Sequence, residues 1–483
     1  MNSFRSVSRR QSAHPERRPD ARSLALCALQ ANQQRGVYLS QVLDDLFTQT
    51  PLLPRDRHLA TELAAETLRR SLTLTTILKS YVSRPPETVD PEVWLLLQLG
   101  CCQLICLSQI PAHAAVNETV AMCERIGKDR ARGFVNGILR TLQRELRISE
   151  EPAQEWTLSQ LSRHSLPLLE IRRPDQSHRR IEFARPVFAS PATFPLDYVS
   201  QVTSLPAWLM QRWADQQFAP ERLLQTGLWM TNPGRISLRV NLNQTTRQAL
   251  LDILSQAQIA AAPGHLPESI VLSGSMTPGD VPVFHDGWFS VQDESAMEVV
   301  DLLHPQAGES ILDLCAAPGG KSCHIAERLQ GTGKVVACDL SAVRLQSVTE
   351  NAVRLGLSQV QTLTIGPQGQ GVPEELFDAV LVDAPCSNTG VLGKRPEARW
   401  RISPETFEEL IPMQTRLLDL AWKQTRPGGR VVYSTCSIDR EENLDLVNSW
   451  LVKQPDAQLH TVAEAVPGQP ADGGFRALIV KAV

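Results

Sequence analysis

At 483 residues the chain is long enough for two or three domains, and its apolar fraction of 42% is ordinary for globular protein. A net charge of −4 excludes a molecule drawn to nucleic acid by overall charge alone, so any such surface must be local. Ten cysteines without a C-x-x-C pair argue against a disulfide framework or a zinc site and for reduced thiols in a cytoplasmic protein that holds no metal.

Residues 1–20 read as a disordered basic tail; six arginines fall within the first 22 positions against Glu16 and Asp20. From 21 to 147 apolar residues recur at three and four, as in Leu24, Leu26 and Leu29 and again in Leu59, Leu63 and Leu68, which predicts an all-helical bundle. The most apolar segment, 93–110, is interrupted by Gln98, Gln103 and Gln109 and reads as a core helix, with no membrane span expected. Positions 122–147 hold seven basic residues against three acids, a candidate RNA-binding face. Three runs here, 55–58 leading into Glu62 and Leu63, 110–118 (IPAHAAVNE) and 133–140 (GFVNGILR), resemble the antitermination factor NusB over 22–142. That resemblance implies an RNA-binding helical domain.

Residues 148–204, with scattered prolines and charges, read as a linker. The stretch 205–292 reads as a small α/β module that contacts RNA. Trp208 to Trp229 looks helical, 236–242 (ISLRVNL) alternates like a strand, and further strands are expected at 270–272 and 288–291. A helix then opens near Ser295, with Asp293 or Ser295 as its cap.

From 293 to 483 strands alternate with helices. Strands are expected near 311–315, 334–338, 360–365, 378–383 and 430–434, with helices near 320–330, 341–355, 404–425 and 440–452. Such alternation means a parallel sheet covered on both faces, with ligands bound beyond the strands' carboxyl ends. The first strand runs into a turn of small residues, Cys315, Ala316, Ala317, Pro318, Gly319, Gly320 and Lys321, shaped for close approach of a nucleotide-like cofactor. A phosphate-binding P-loop would need glycine where Cys315 stands, so that reading fails on one residue. Asp313 at the strand end suits instead the cationic sulfonium of S-adenosyl-L-methionine. Asp339, ending the next strand, can hold ribose hydroxyls.

Two later strand ends carry cysteine: Asp383-Ala384-Pro385-Cys386-Ser387 and Thr435-Cys436-Ser437. A thiol beyond a strand terminus, beside polar groups, can become a thiolate. Methyl transfer to carbon 5 of cytosine needs one, because adding a thiolate to carbon 6 makes carbon 5 nucleophilic. Asp383 is placed to hold the exocyclic amine.

The runs DLCAAPGGK, VACD, DAPCSNTG, KRPEARW and STCSIDREEN resemble the RNA cytosine-5 methyltransferases. With the NusB-like front, the chain resembles the RsmB/Sun type of that family, which acts on 16S rRNA. The resemblance implies a Rossmann-like methyltransferase domain at 293–483 and S-adenosyl-L-methionine as cofactor. It makes Cys436 the nucleophile and Cys386 the cysteine that helps resolve the covalent adduct. Residues 315–321 would cradle the methionine part of the cofactor, Asp339 its ribose, and Asp383 would lie between cofactor and base. Lys321 would also touch the cytosine. A monomer is expected. The family usually places an acid after its third strand to hold adenine, yet 358–373 contains no Asp or Glu, and Gly366 occupies that ground. That gap motivates the alternative of a non-catalytic RNA-binding ribosome-assembly factor retaining the fold. A nucleotide hydrolase keeps only Gly320-Lys321-Ser322 and Asp383.

Overall fold

The computed structural model describes residues 20–152, 154–170, 178–274, 276, 278–468 and 471–483. The basic tail, and Arg172 and Arg173 of the expected linker, lie outside them. The chain divides into two compact units, Met1–Arg144 and Glu145–Val483.

The first unit is helical: α1 (Ala21–Arg35), α2 (Leu39–Gln49), α3 (Pro54–Arg69), α4 (Ser71–Tyr81), α5 (Pro91–Ile105), α6 (Ala112–Arg125) and α7 (Arg132–Glu145). Asp20 caps α1 by accepting from the Ser23 amide, and Asp90 caps α5 ahead of Pro91. The α5 helix is buried almost throughout. Gln98 is accommodated there by donating to Thr75 Oγ1 (2.9 Å), and Gln103 by donating to Thr119 Oγ1 (3.2 Å). No helix among the described residues is long and apolar enough to cross a membrane. Much of the local positive charge is already paired: Arg125 with Asp20 (2.5 Å), Lys128 with Asp90 (2.5 Å) and Arg132 with Glu124 (3.5 Å).

In the second unit the segment expected as a linker is folded. Strands β1 (Leu146–Glu151), β2 (Ser165–Leu169) and β3 (His178–Phe183) form an antiparallel sheet in the order β1-β3-β2. Charge disguised it, because cross-strand ion pairs hold it together. Arg180 meets Glu151 at 2.7 Å and stacks over Trp156, Arg179 pairs with Glu170, and Pro167 sits on an edge strand where its missing N–H costs nothing. Helices α8 (Pro195–Thr203), α9 (Ala207–Asp215) and α10 (Pro220–Met230) follow, so the expected helix near 208–229 is two, restarted at Pro220.

The small module is a four-stranded antiparallel sheet ordered β5-β6-β4-β7, from β4 (Ile236–Val240), β5 (Ala261–Pro263), β6 (Ser269–Leu272) and β7 (Phe289–Val291), with α11 (Arg247–Gln256) packed on it. Fully buried Arg239 of β4 reaches out of the module, donating to Glu327 (2.8 Å) and to the Gly320 carbonyl (2.8 Å).

The largest sheet runs β10-β9-β8-β11-β12-β14-β13. Its members are β8 (Ser310–Asp313), β9 (Lys334–Asp339), β10 (Val360–Thr364), β11 (Phe377–Asp383), β12 (Thr425–Thr435), β13 (Ala457–Ala465) and β14 (Gly474–Lys481). Strands β8 to β12 are mutually parallel, and successive residues bury opposite faces. Leu312, Val336, Val380 and Val431 face one layer, while Ile311, Val335, Leu381 and Val432 face the other. The layers are α12 (Glu294–Leu303), α13 (Gly320–Arg328) and α14 (Ala342–Leu355) on one side, with α16 (Pro404–Gln424) and α17 (Leu444–Leu451) on the other; the short α15 (Ala398–Arg401) precedes α16. The C-terminal strand is internal to the sheet. β14 pairs antiparallel with both β12 and β13, and the polar β13 takes the edge. The switch in strand order lies between β8 and β11, which places the ligand crevice at their carboxyl ends.

Candidate active site

Each expected site residue ends or follows one of the parallel strands. From β8 the chain passes through Leu314 and Cys315 into the turn and so to α13. Gly319 has φ 104°, and a Cβ there would lie 2.9 Å from Val348 Cα, so this glycine exists for its backbone and for close packing of α14. Gly320 opens α13 with nothing nearer than Gln292 at 3.9 Å from a would-be Cβ, which makes it the open face of the turn. Ala316 N donates to Cys338 O (2.8 Å), and Ala317 N donates to Asp339 Oδ2 (3.3 Å). Pro318 is exposed, and Cys315 is partly exposed with its thiol pushed up by burial.

Asp313, expected to face a sulfonium, is buried instead. It accepts from Ser322 Oγ (2.6 Å), and desolvation pushes its carboxyl up to about 7. It braces the turn from behind. Asp339 lies at the end of β9, accepting from Ser341 N (3.0 Å) and facing Arg344 (3.3 Å). Leu340 beside it is 57% exposed, an apolar surface just beyond the carboxyl end of β9 that sequence reasoning missed.

Gly366, standing where an acid would hold adenine, has its backbone tied up locally. Its N–H donates to Gln370 O (2.8 Å) and its carbonyl accepts from Gly369 N (2.9 Å), so both groups are engaged within the turn after β10.

The chemistry-bearing groups converge at β11 and β12. Lys321 Nζ donates to Asp383 Oδ2 (2.7 Å), whose Oδ1 accepts from Ser434 Oγ (3.0 Å). Cys386 Sγ and Cys436 Sγ are 3.3 Å apart. Asn388, with φ 62°, joins them: its Nδ2 donates to Cys386 O (2.8 Å), and its Oδ1 lies 3.3 Å from Cys436 Sγ and accepts from Arg395 (2.5 Å). The two thiols are not equivalent. The hydrogen bond from Cys386, with the charges of Arg395 and Lys321, lowers the Cys436 thiol against the opposing effects of burial and of the Asp383 carboxylate. Cys386 is driven well up by the same shared hydrogen bond, by burial, by charge on Cys436 and, after these, by Glu442. Beside Cys436 a cleft is lined by Ser295, Ala296, Lys321, Asp383, Gly474 and Arg476.

The KRPEARW segment is placed differently from a basic RNA-binding run. Lys394 pairs with Asp293 (2.5 Å) and Asp472 (2.8 Å), and fully buried Arg399 donates to the carbonyls of Ser204 (3.1 Å), Met230 (2.8 Å) and Leu392 (2.9 Å). These charges hold the loops of the unit together. Nothing in the residue types signalled that difference, since a basic run looks alike whether it faces water or carbonyls.

Three family models match in chain order: the NusB family over 19–144, the ferredoxin-like domain of RsmF/B-like methyltransferases over 205–277, and 16S rRNA methyltransferase RsmB/F over 300–475. The probable ribosomal RNA small subunit methyltransferase B of Bacillus subtilis is 32% identical over 91% of this chain and 90% of its own length. The ribosomal RNA small subunit methyltransferase B of Klebsiella pneumoniae is 33% identical over 95% and 98%. Among solved structures, a methyltransferase homolog protein from Pyrococcus horikoshii superposes with a TM-score of 0.54 at 25% identity, covering 61% of this chain and all (100%) of its own.

Proposed function

The chain belongs to the RsmB/F family of 16S rRNA methyltransferases, and from that premise we propose that it methylates carbon 5 of a cytosine through a transient bond to Cys436. The observation that carries this reading is the pair of sulfurs 3.3 Å apart, with Lys321 and Arg395 favouring charge on one of them. Carbon 5 of cytosine is a weak nucleophile. Addition of the Cys436 thiolate to carbon 6 turns the ring into an enamine and loads electron density onto carbon 5. Asp383, carried by β11 and fixed by Lys321 and Ser434, holds the exocyclic amine and stabilises the adduct.

S-adenosyl-L-methionine, when bound, supplies the electrophilic methyl group. The residues present fit it: the open turn at Gly320 receives the methionine part, Asp339 the ribose hydroxyls, and exposed Leu340 offers an apolar face to adenine. Leu340 offers adenine apolar contact but not the hydrogen bond an acid after β10 would accept, and both backbone groups of Gly366 are engaged in its own turn. Once carbon 5 bears the methyl, its proton passes to a base, the electron pair restores the 5,6 double bond, and the bond from carbon 6 to Cys436 breaks. Cys386, kept as a thiol beside that sulfur, assists this release. The cytosine leaves its stack to enter the cleft, and unpaired RNA is the easier substrate. Every group in the scheme comes from one chain, so we infer a monomer. A non-catalytic assembly factor would have no use for cations arranged around one of two adjacent thiols.

Methyl transfer to rRNA read by bisulfite sequencing, with adducts read on denaturing gels, tests the reading. Cys436→Ala abolishes methylation, and Cys386→Ala accumulates protein covalently joined to RNA. A Cys436→Ala protein of full activity contradicts it.

A further inference from the structure

The scheme above leaves one buried carboxylate without a task. Glu442, fully buried in the single turn Arg440–Glu442 after β12, lies beneath the loop that carries Cys386. Its Oε1 accepts from Ser387 N (2.9 Å) and Gln414 Nε2 (2.9 Å), and its Oε2 accepts from Ser387 Oγ (2.5 Å). Its own carbonyl accepts from Tyr433 OH (2.7 Å), and Gln414 also donates to Pro385 O (2.9 Å). The residues on either side of the two cysteines are thus stitched together. Ser387 Oγ reaches Ser437 Oγ (3.1 Å), which reaches Thr389 Oγ1 (2.9 Å), and Thr389 donates to Asp439 (2.8 Å).

The two carboxylates of this network differ. Asp439 is neutralised by Arg212 at 2.9 Å, whereas among the described residues no Lys, Arg or His pairs with Glu442. A buried charge held only by neutral donors spreads its potential over its neighbours.

We propose that Glu442 is a positioning residue that locks the two cysteine loops in register and, by its uncompensated negative charge beneath Cys386, keeps that sulfur a neutral thiol so that Cys436 carries the charge. The inference rests on the cysteine reading of the site. Directions of the thiols agree with it, since Glu442 is among the groups that raise Cys386 and is absent from those acting most on Cys436. Burial holds the Glu442 carboxyl above its ordinary value, although the donors Ser387, Ser437 and Gln414 favour its ionised form. Its charge acts on Cys386 on the loop after β11 and on Tyr433 within β12; Arg440 and Glu441 share its turn, α17 packed against that turn carries Asp445, and α16 meets the carboxylate through the neutral Gln414.

The test labels the intact free protein with iodoacetamide and compares alkylation at Cys386 with that at Cys436 by peptide mass, from mildly acidic to alkaline pH. In Glu442→Gln the amide keeps the shape and removes the charge. The Cys386-to-Cys436 labelling ratio at neutral pH should rise about tenfold, one unit of thiol pKa. Turnover in methyl transfer should fall with the KM for RNA unchanged. Gln414→Met, which removes a donor and leaves the carboxylate easier to protonate, should move the ratio the same way by less, and keeps the test alive where Glu442→Gln does not fold. An unchanged ratio in both variants overturns the proposal and leaves the role of Cys436 standing. Failure of that role would show separately, as methylation by the Cys436→Ala protein.

Discussion

Adjacent glycines in the cofactor turn, Gly319 and Gly320, should respond oppositely to the same substitution. Gly319 adopts φ 104°, and an added Cβ would stand 2.9 Å from Val348 Cα, 3.2 Å from its Cγ1 and 3.3 Å from its Cβ. The left-handed backbone costs an L-residue about 1–2 kcal/mol, and pressing a methyl against the backbone of α14 costs about 1–3 kcal/mol more, so Gly319→Ala should lose about 2–5 kcal/mol of stability. Gly320 begins α13 with ordinary helical backbone and only Gln292 at 3.9 Å, so Gly320→Ala should leave stability within about 0.5 kcal/mol. If Gly320 faces the cofactor, the same methyl should weaken S-adenosyl-L-methionine binding. Urea unfolding and calorimetric titration of the two variants give both readouts. A stable Gly319→Ala protein with weakened cofactor binding would refute this division between packing and ligand.

Arg399 offers a second contrast, because it satisfies the carbonyls of Ser204, Met230 and Leu392 from a fully buried position. Arg399→Ala strands those acceptors and should destabilise the protein by at least about 3 kcal/mol, while Arg399→Gln, which removes the charge and keeps two N–H donors, should leave the salt dependence of RNA binding by the folded protein unchanged. A smaller salt slope would return Arg399 to the RNA surface. Stability should also carry the signature of Asp472, whose carboxyl is raised to about 6 from 3.8 by burial and by Asp293, with Lys394 opposing. The folded chain therefore binds this proton more tightly than the unfolded one, and stability is lost as pH rises from about 4 to about 6. Asp472→Asn should gain in urea midpoint over the wild type at pH 8 and lose that advantage near pH 4; equal differences at the two values contradict the assignment.

The catalytic half was legible because each parallel strand announces itself twice, by an apolar run and by the chemistry placed after it. Asp339, Asp383, Cys386 and Cys436 all stand where a strand stops, and one sheet edge gathers them. Elements held by ion pairs or edge exposure were not legible. The strand His178–Phe183 reads as charged loop because its partners Glu151 and Glu170 stand outside it, one on β1 and one beyond the end of β2, and Ala457–Ala465 reads as polar because one face meets solvent. Charge in sequence also says nothing of direction. Lys394 and Arg399 turn inward while Arg395 of the same run turns to the cysteines, and a loop without periodicity cannot reveal that Glu442, rather than Glu441, is buried.

The most direct measurement is the identity of the sulfur that bonds to the base. RNA carrying 5-fluorocytidine at the target cannot release a proton from carbon 5, so turnover stops with the adduct intact, and peptide mass mapping then reads its position. A nucleotide attached to the peptide containing Cys436 is the predicted result. Attachment at Cys386, or normal methylation of unsubstituted RNA with no adduct trapped at either cysteine, would contradict it.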